Sequence, residues 1–322
     1  MSEFQNRYSN YLLHYGVKGM KWGVWNSETK ARYAGKIGSD EPSSTKQREI
    51  NDKNYTDETA KKNRRYRLKT GIATAALGAA ATALGIVGIK SGEVEDGTDF
   101  TMAALGTLSF ATGAFMIASE IASRKKAKRA IEVSDYVRKE SKRDPKTNLL
   151  LKNSKEFTDK DVALANPYFE ISDARTTNNC VCCTAALEMR HRGYEVRAKR
   201  TTTGFYENEV EKIYKGSKMS EPYKADTPWE GLSKTSAKSA VSDTLKDGGR
   251  GHLIVSWPGG GAHSVYYVCD NDRLSLYDGQ TGKVLARSNE EAAKYLTRTS
   301  EVRHLRVDNC KIVMDEMKRM VE

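Results

Sequence analysis

The sequence predicts a mixed α+β domain at its C-terminal end, preceded by a two-helix apolar hairpin and a largely irregular N-terminal segment. Three observations carry this expectation. Short β-forming runs separated by Gly or Asn-Asp turns crowd the region after Asn166. An apolar helical pattern in the same region begins beside a cluster of cysteines. Upstream, two stretches of membrane-spanning length lie between strongly basic flanks.

The N-terminal segment, residues 1–60, is rich in Ser, Asn, Lys and Glu, the composition of a solvated linker. It holds one island of different character, His14-Tyr-Gly-Val-Lys-Gly-Met-Lys-Trp-Gly-Val24. No basic stretch, apolar core and small-residue cleavage site open the chain, so no Sec-type signal peptide is expected.

The hairpin is assigned to residues 61–129. Thr70 to Ile89 carries no charge, and Phe100 to Ile121 carries one acid, Glu120. Each is about as long as a bilayer-crossing helix must be. The connection, Lys90 to Asp99, is acidic, whereas the outer flanks Lys61 to Lys69 and Arg124 to Arg129 are basic, which puts both outer ends on the cytoplasmic side. Gly71, Gly78 and Gly85 recur every seven residues, as do Gly106 and Gly113, so each set lies on one helix face. Small faces let two helix backbones approach closely in lipid. A hairpin buried in a soluble protein is the alternative, because Ala and Gly make the spans only weakly hydrophobic.

Residues 130–165 read as a helical and then irregular linker, broken around Pro145. The basic face starting at Arg124 suits anionic head groups or plain solvent equally. The net charge of +11 favours anionic partners, but the basic residues hug the hairpin and no nucleic-acid-binding motif is visible, so no specific nucleic acid is expected. The five cysteines, three of them within Cys180–Cys183, make a poor disulfide framework and point to a reducing compartment. They lack zinc spacing, so neither a metal nor a cofactor is expected.

Residues 166–322 carry the chemistry. In Asn178-Asn-Cys-Val-Cys-Cys-Thr-Ala-Ala-Leu-Glu-Met-Arg-His-Arg-Gly193, a polar turn becomes a helix, read over Cys182 to Gly193. A thiol at such a start, Cys180, feels the positive end of the helix dipole, which favours the thiolate. Strands are expected over Gly251 to Trp257, Ser264 to Cys269 and Arg273 to Tyr277. His263 follows a run of glycines, and Asp278 closes the strand after the Asn271-Asp272 turn, where it can reach the imidazole and hold its tautomer. Cys, His and Asp in the order helix, strand, strand form a nucleophile, base and orienter.

These motifs resemble the papain-fold toxin domains of the Tox-PL type, found in bacterial polymorphic toxins, effectors and prophage proteins. The resemblance rests on Asn-Cys-x-x-Cys with Glu-Met-Arg-His-Arg-Gly-Tyr-Glu-Val, on Gly-Gly-Gly-Ala-His-Ser-Val and on Tyr-Asp-Gly-Gln-Thr-Gly, and spans roughly residues 166–310. It implies a papain-like domain with Cys180 as nucleophile, His263 as base and Asp278 as orienter. It gives Gln280 a supporting role, beside Asn179. Cys183, the second Cys of Asn-Cys-x-x-Cys, is the rival nucleophile. The family implies a glutamine deamidase or a peptidase acting on a host protein. The His14–Val24 island resembles a motif near the N-termini of phage and prophage structural-region proteins. That implies virion docking, with a plain turn bearing an exposed Trp as the alternative. The expected protein is therefore a phage- or prophage-encoded effector in the virion or the bacterial inner membrane, both termini cytoplasmic. The competing expectation is a minor virion or ejection protein with an inactive papain-like module.

Overall fold

The structure is a computed structural model, described over residues 44–91, 98–205, 207–227 and 229–322. The His14–Val24 island and most of the connection between the hairpin helices lie outside the described residues. Helices are α1 Ser44–Asn54, α2 Asp57–Ser91, α3 Thr98–Glu140, α4 Asp159–Ala165, α5 Ala174–Thr177, α6 Cys180–His191, α7 Glu207–Ile213, α8 Lys234–Asp247, α9 Asn289–Leu296 and α10 Met314–Met320. Strands are β1 Tyr214–Lys215, β2 Tyr223–Lys224, β3 Arg250–Ser256, β4 Ala262–Asp270, β5 Arg273–Asp278, β6 Lys283–Ala286, β7 Glu301–Arg306 and β8 Lys311–Ile312. The chain divides into two compact units.

The smaller unit is Tyr55–Arg129 with Glu170–Asp173. Its helices run well beyond the expected apolar spans, because the basic flanks continue the helices rather than end them. The glycine periodicity has a direct structural reason. A Cβ at Gly78 would strike the backbone of Phe110 and Gly106, and one at Gly113 would strike Ala75 and Gly71, so the two helices touch backbone to backbone. Leu77, Leu84, Leu105, Leu108, Phe110 and Phe115 point outward, and only 17% and 11% of the two most apolar windows is buried. Glu120, the one acid of the second span, is fully buried between Arg64 and Arg67, 3.8 and 3.5 Å away. Ser172 Oγ donates to the same carboxylate at 2.5 Å, and Arg64 also reaches Glu170. A charge taken from water needs such partners.

The larger unit takes in Ala130–Phe169 and Ala174–Glu322, with α1. The stretch read as a linker therefore packs as part of this unit. Arg138 donates to the carbonyls of Glu195 and Glu322, Arg197 donates to Ser134 Oγ, and a bridge joins Leu151 to Tyr194. The expected irregular character of the first sixty residues is corrected at their end. Ser44–Asn54 is helical, and Asp52 Oδ1 accepts from the backbone N–H and hydroxyl of Thr202. That long-range capture outweighs the polarity that suggested a linker.

A six-stranded antiparallel sheet of order β2-β7-β3-β4-β5-β6 organises this unit. Both faces are covered, so β3 is buried without a break from Gly251 to Val255, His252 included. On one face Leu253, Val255, Val265, Tyr267, Leu274 and Leu276 pack with α8 and α9; on the other Ile254 and Tyr266 pack with α4, α6 and α10. The Asn271-Asp272 turn behaves as its residues require. Both residues have positive φ (49° and 56°), and Asp270 pairs with Arg273, a two-residue hairpin of the twist-compatible kind. The strands begin or end one or two residues from where expected. The helix α6 starts at Cys180 rather than Cys182, with Asn179 as its N-cap.

Candidate active site

The sheet register brings the His and the Asp together. Tyr277 pairs with Tyr266, so Asp278 continues to the level of Val265. His263 is two residues from Val265 on the same strand and therefore shares its face. It stands one diagonal step from Asp278, within side-chain reach. The contact is made: His263 Nε2 lies 3.2 Å from Asp278 Oδ1. His263 is also within hydrogen-bond reach of the Cys180 side chain, which, like Asp278, raises its pKa.

Asp278 is itself held. Its Oδ1 accepts from the backbone N–H groups of Gln280 (2.9 Å) and Thr281 (3.3 Å), and its Oδ2 accepts from the Thr281 hydroxyl at 2.7 Å. This is an Asx turn, the local bond that makes Asp favourable before such a loop. Gly279 is required by a close approach: a Cβ there would lie 2.9 Å from Leu187 Cδ1 and 3.1 Å from Cys183 O, both on α6.

Burial pulls the His263 pKa down, but the charge and hydrogen bond of Asp278, with the Cys180 contact, outweigh it and push it up to about 10. Cys183 lies one turn along α6, and burial, then the neighbouring Cys182 and Cys180, push its thiol well above the ordinary range. Cys182 faces elsewhere, with its sulfur 3.9 Å from Met320 Sδ.

The two supporting residues meet in one polar cluster. Gln280 Nε2 donates to Asn179 Oδ1 at 3.4 Å, and Asn179 Nδ2 donates to Lys199 O at 3.1 Å. Asn166 completes it, donating to Gln280 O at 3.0 Å and Thr176 O at 3.1 Å. With its side chain so engaged, Asn179 makes no side-chain cap bond to α6. Sequence reasoning missed Asn166 and Thr281; only the Asp-Gly-Gln-Thr order held a signal, for the Asx turn. It also missed Tyr295 on α9, whose phenol is pushed upward by burial and then by the Asp278 charge. Trp257 packs edge-on against Tyr295, with ring centroids 6.1 Å apart.

Residues 178–283 match the family model described as papain fold toxin 1, glutamine deamidase. Residues 5–28 match a family of unknown function, DUF7211. No curated protein matches the chain. Among solved structures, the avirulence protein AvrPphB of Pseudomonas is similar at 12% identity and a TM-score of 0.21, over 70% of this chain and 91% of that one. The family match covers well under half of the chain, and it includes Cys180, His263 and Asp278. The larger unit thus contains an α+β domain that is similar, over residues 178–283, to the papain-fold glutamine-deamidase toxins.

Proposed function

We propose that this domain is a cysteine hydrolase of the effector type, which attacks a glutamine carboxamide or a peptide bond of a host protein. Cys180 is the nucleophile, His263 the acid–base and Asp278 the orienter. The observation that carries this reading is the bridging position of His263, which contacts Cys180 and Asp278 at once. Asp278 keeps the His263 ring protonated, so the proton of the reacting pair sits on the ring and the sulfur attacks the carbonyl carbon as a thiolate. The imidazolium then gives its proton to the nitrogen as the C–N bond breaks, releasing ammonia from a carboxamide or an amine from a peptide. The ring, neutral in the acyl-enzyme, takes a proton from water; the hydroxide displaces the sulfur from the thioester, which restores the thiolate beside the protonated ring. Developing charge on the carbonyl oxygen suits the first N–H groups of α6, which have no partner within the helix. Cys180 is fully buried, so the side chains above it move aside to admit substrate.

The two-helix unit holds the enzyme on a membrane in this proposal. Its outward apolar side chains, its glycine seam and the basic flanks Lys61 to Lys69 and Arg124 to Arg129 support that reading. The phage or prophage origin, with His14–Val24 docking to the virion, rests on the sequence motif alone.

Intact-mass analysis of host proteins incubated with the full chain and with Cys180→Ala tests the activity. A gain of about 1 Da on one glutamine marks deamidation, and fragments mark proteolysis. Host proteins unchanged by the wild type under conditions where Cys180 is reactive would overturn it.

A further inference from the structure

Beneath the site runs a second set of buried polar side chains that the proposed chemistry does not use. Tyr214, His252, Ser264 and Thr184 come from β1, β3, β4 and α6, and each is buried to within about one per cent. Tyr214 Oη lies 3.0 Å from His252 Nε2, and His252 Nδ1 lies 3.2 Å from Ser264 Oγ. Ser264 Oγ lies 3.0 Å from Thr184 Oγ1. Thr184 Oγ1 then reaches two backbone carbonyls, those of Cys180 and Ser264, each at 3.1 Å.

The proton order along this chain is forced from the carbonyl end. A carbonyl only accepts, so the Thr184 hydroxyl donates to it and must accept from Ser264. The single Ser264 proton is then spent, and Ser264 must accept from His252 Nδ1–H. Neutral His252 therefore presents Nε2 as an acceptor, which takes the Tyr214 proton. Burial pushes the His252 pKa down to about 3, in keeping with a neutral ring. Every member is satisfied, the condition under which a buried network stiffens a core.

The two carbonyls at the end of the chain are informative. One belongs to the residue that carries the thiol, and the other to the residue next to His263. The single Thr184 hydroxyl thus joins the first turn of α6 to the start of β4. We propose that Thr184 and Ser264, braced by His252 and Tyr214, are positioning residues that set the spacing between Cys180 and His263. The inference rests on those two being the reacting pair.

The test is alkylation of the full chain by iodoacetamide, with the rate at Cys180 read by peptide mapping across pH. Thr184→Val keeps the shape and removes the hydroxyl; Ser264→Ala cuts the chain one link back. Both are expected to slow Cys180 alkylation about 10- to 100-fold, since small misplacements cost that much, and to change its pH profile. Thr184→Ser keeps the hydroxyl and is expected to restore the wild-type rate and profile. Met189→Ala, a buried change elsewhere on α6, is the stability control: it is expected to lower the urea midpoint while sparing the alkylation rate. If Thr184→Val and Ser264→Ala match wild type, or if Met189→Ala at a similar loss of stability slows alkylation as much as they do, the positioning role is refuted. If Cys180 of the wild type shows no His263-dependent reactivity at all, the proposed reacting pair fails first.

Discussion

Replacing Asp278 by Asn tests the electrostatics of the site. The amide keeps the size and the backbone hydrogen bonds but carries no charge. In the wild type, burial lowers the His263 pKa and the Asp278 charge more than reverses this, to about 10. With the charge gone, only the Cys180 side chain is left to oppose burial, so the His263 midpoint is expected to fall well below 10. The folded-state value of the wild type lies above the unfolded one. The pair therefore stabilises fully below pH 6.5, and its contribution is lost as pH rises through about 10. Breaking a buried pair by removing one partner costs about 3–5 kcal/mol. The stability gap between wild type and Asp278→Asn should be of that order at pH 6 and close as pH approaches 10. Histidine NMR titration, with His263→Gln for assignment, reads the midpoint, and urea unfolding at several pH values reads the gap. A variant whose His263 still titrates near 10, or a gap that does not change with pH, would refute the reasoning.

Three further outcomes follow from the packing and the charge pattern. Cys182→Ala should cost on the order of 1 kcal/mol through its Met320 contact and leave activity intact, checked by urea midpoint and turnover. Gly279→Ala should cost about 1–3 kcal/mol and lower activity with it, because the new methyl pushes the Asp278 loop off α6; an unchanged urea midpoint would contradict the close approach. Thr98→Cys should be labelled by an impermeant thiol reagent from outside intact cells, and a C-terminal cysteine should not; the reverse pattern would overturn the cytoplasmic placement of the termini.

Local chemistry made part of this fold legible. The Asn271-Asp272 turn fixed one hairpin and its register, and that register alone places Asp278 a diagonal step from His263. The glycine spacing in the two apolar spans announced a close helix pair. The start of α6 was read two residues late, since Cys180 and Val181 sit in a polar run that looks like a turn. What long-range contacts decide was not legible. Ser44–Asn54 looked like linker because its partners, Thr202 and Thr203, lie about 150 residues away. Asn166 looked like a boundary residue, yet it joins Thr176 to Gln280. The Tyr214–His252–Ser264–Thr184 chain draws on four separate elements, and no period or spacing marks it. Residues 130–165, polar and broken by Pro145, gave no sign of packing with the domain that follows.

The central claim is that Cys180 attacks and His263 activates it. A glutamine-derived chloromethyl ketone presents the proposed carboxamide beside an electrophile, and mass spectrometry of the labelled full chain locates the new bond. One equivalent on Cys180 in the wild type, lost in His263→Ala and strongly slowed in Asp278→Asn, is the expected result. Label on Cys183, or labelling of Cys180 that ignores His263, would contradict it.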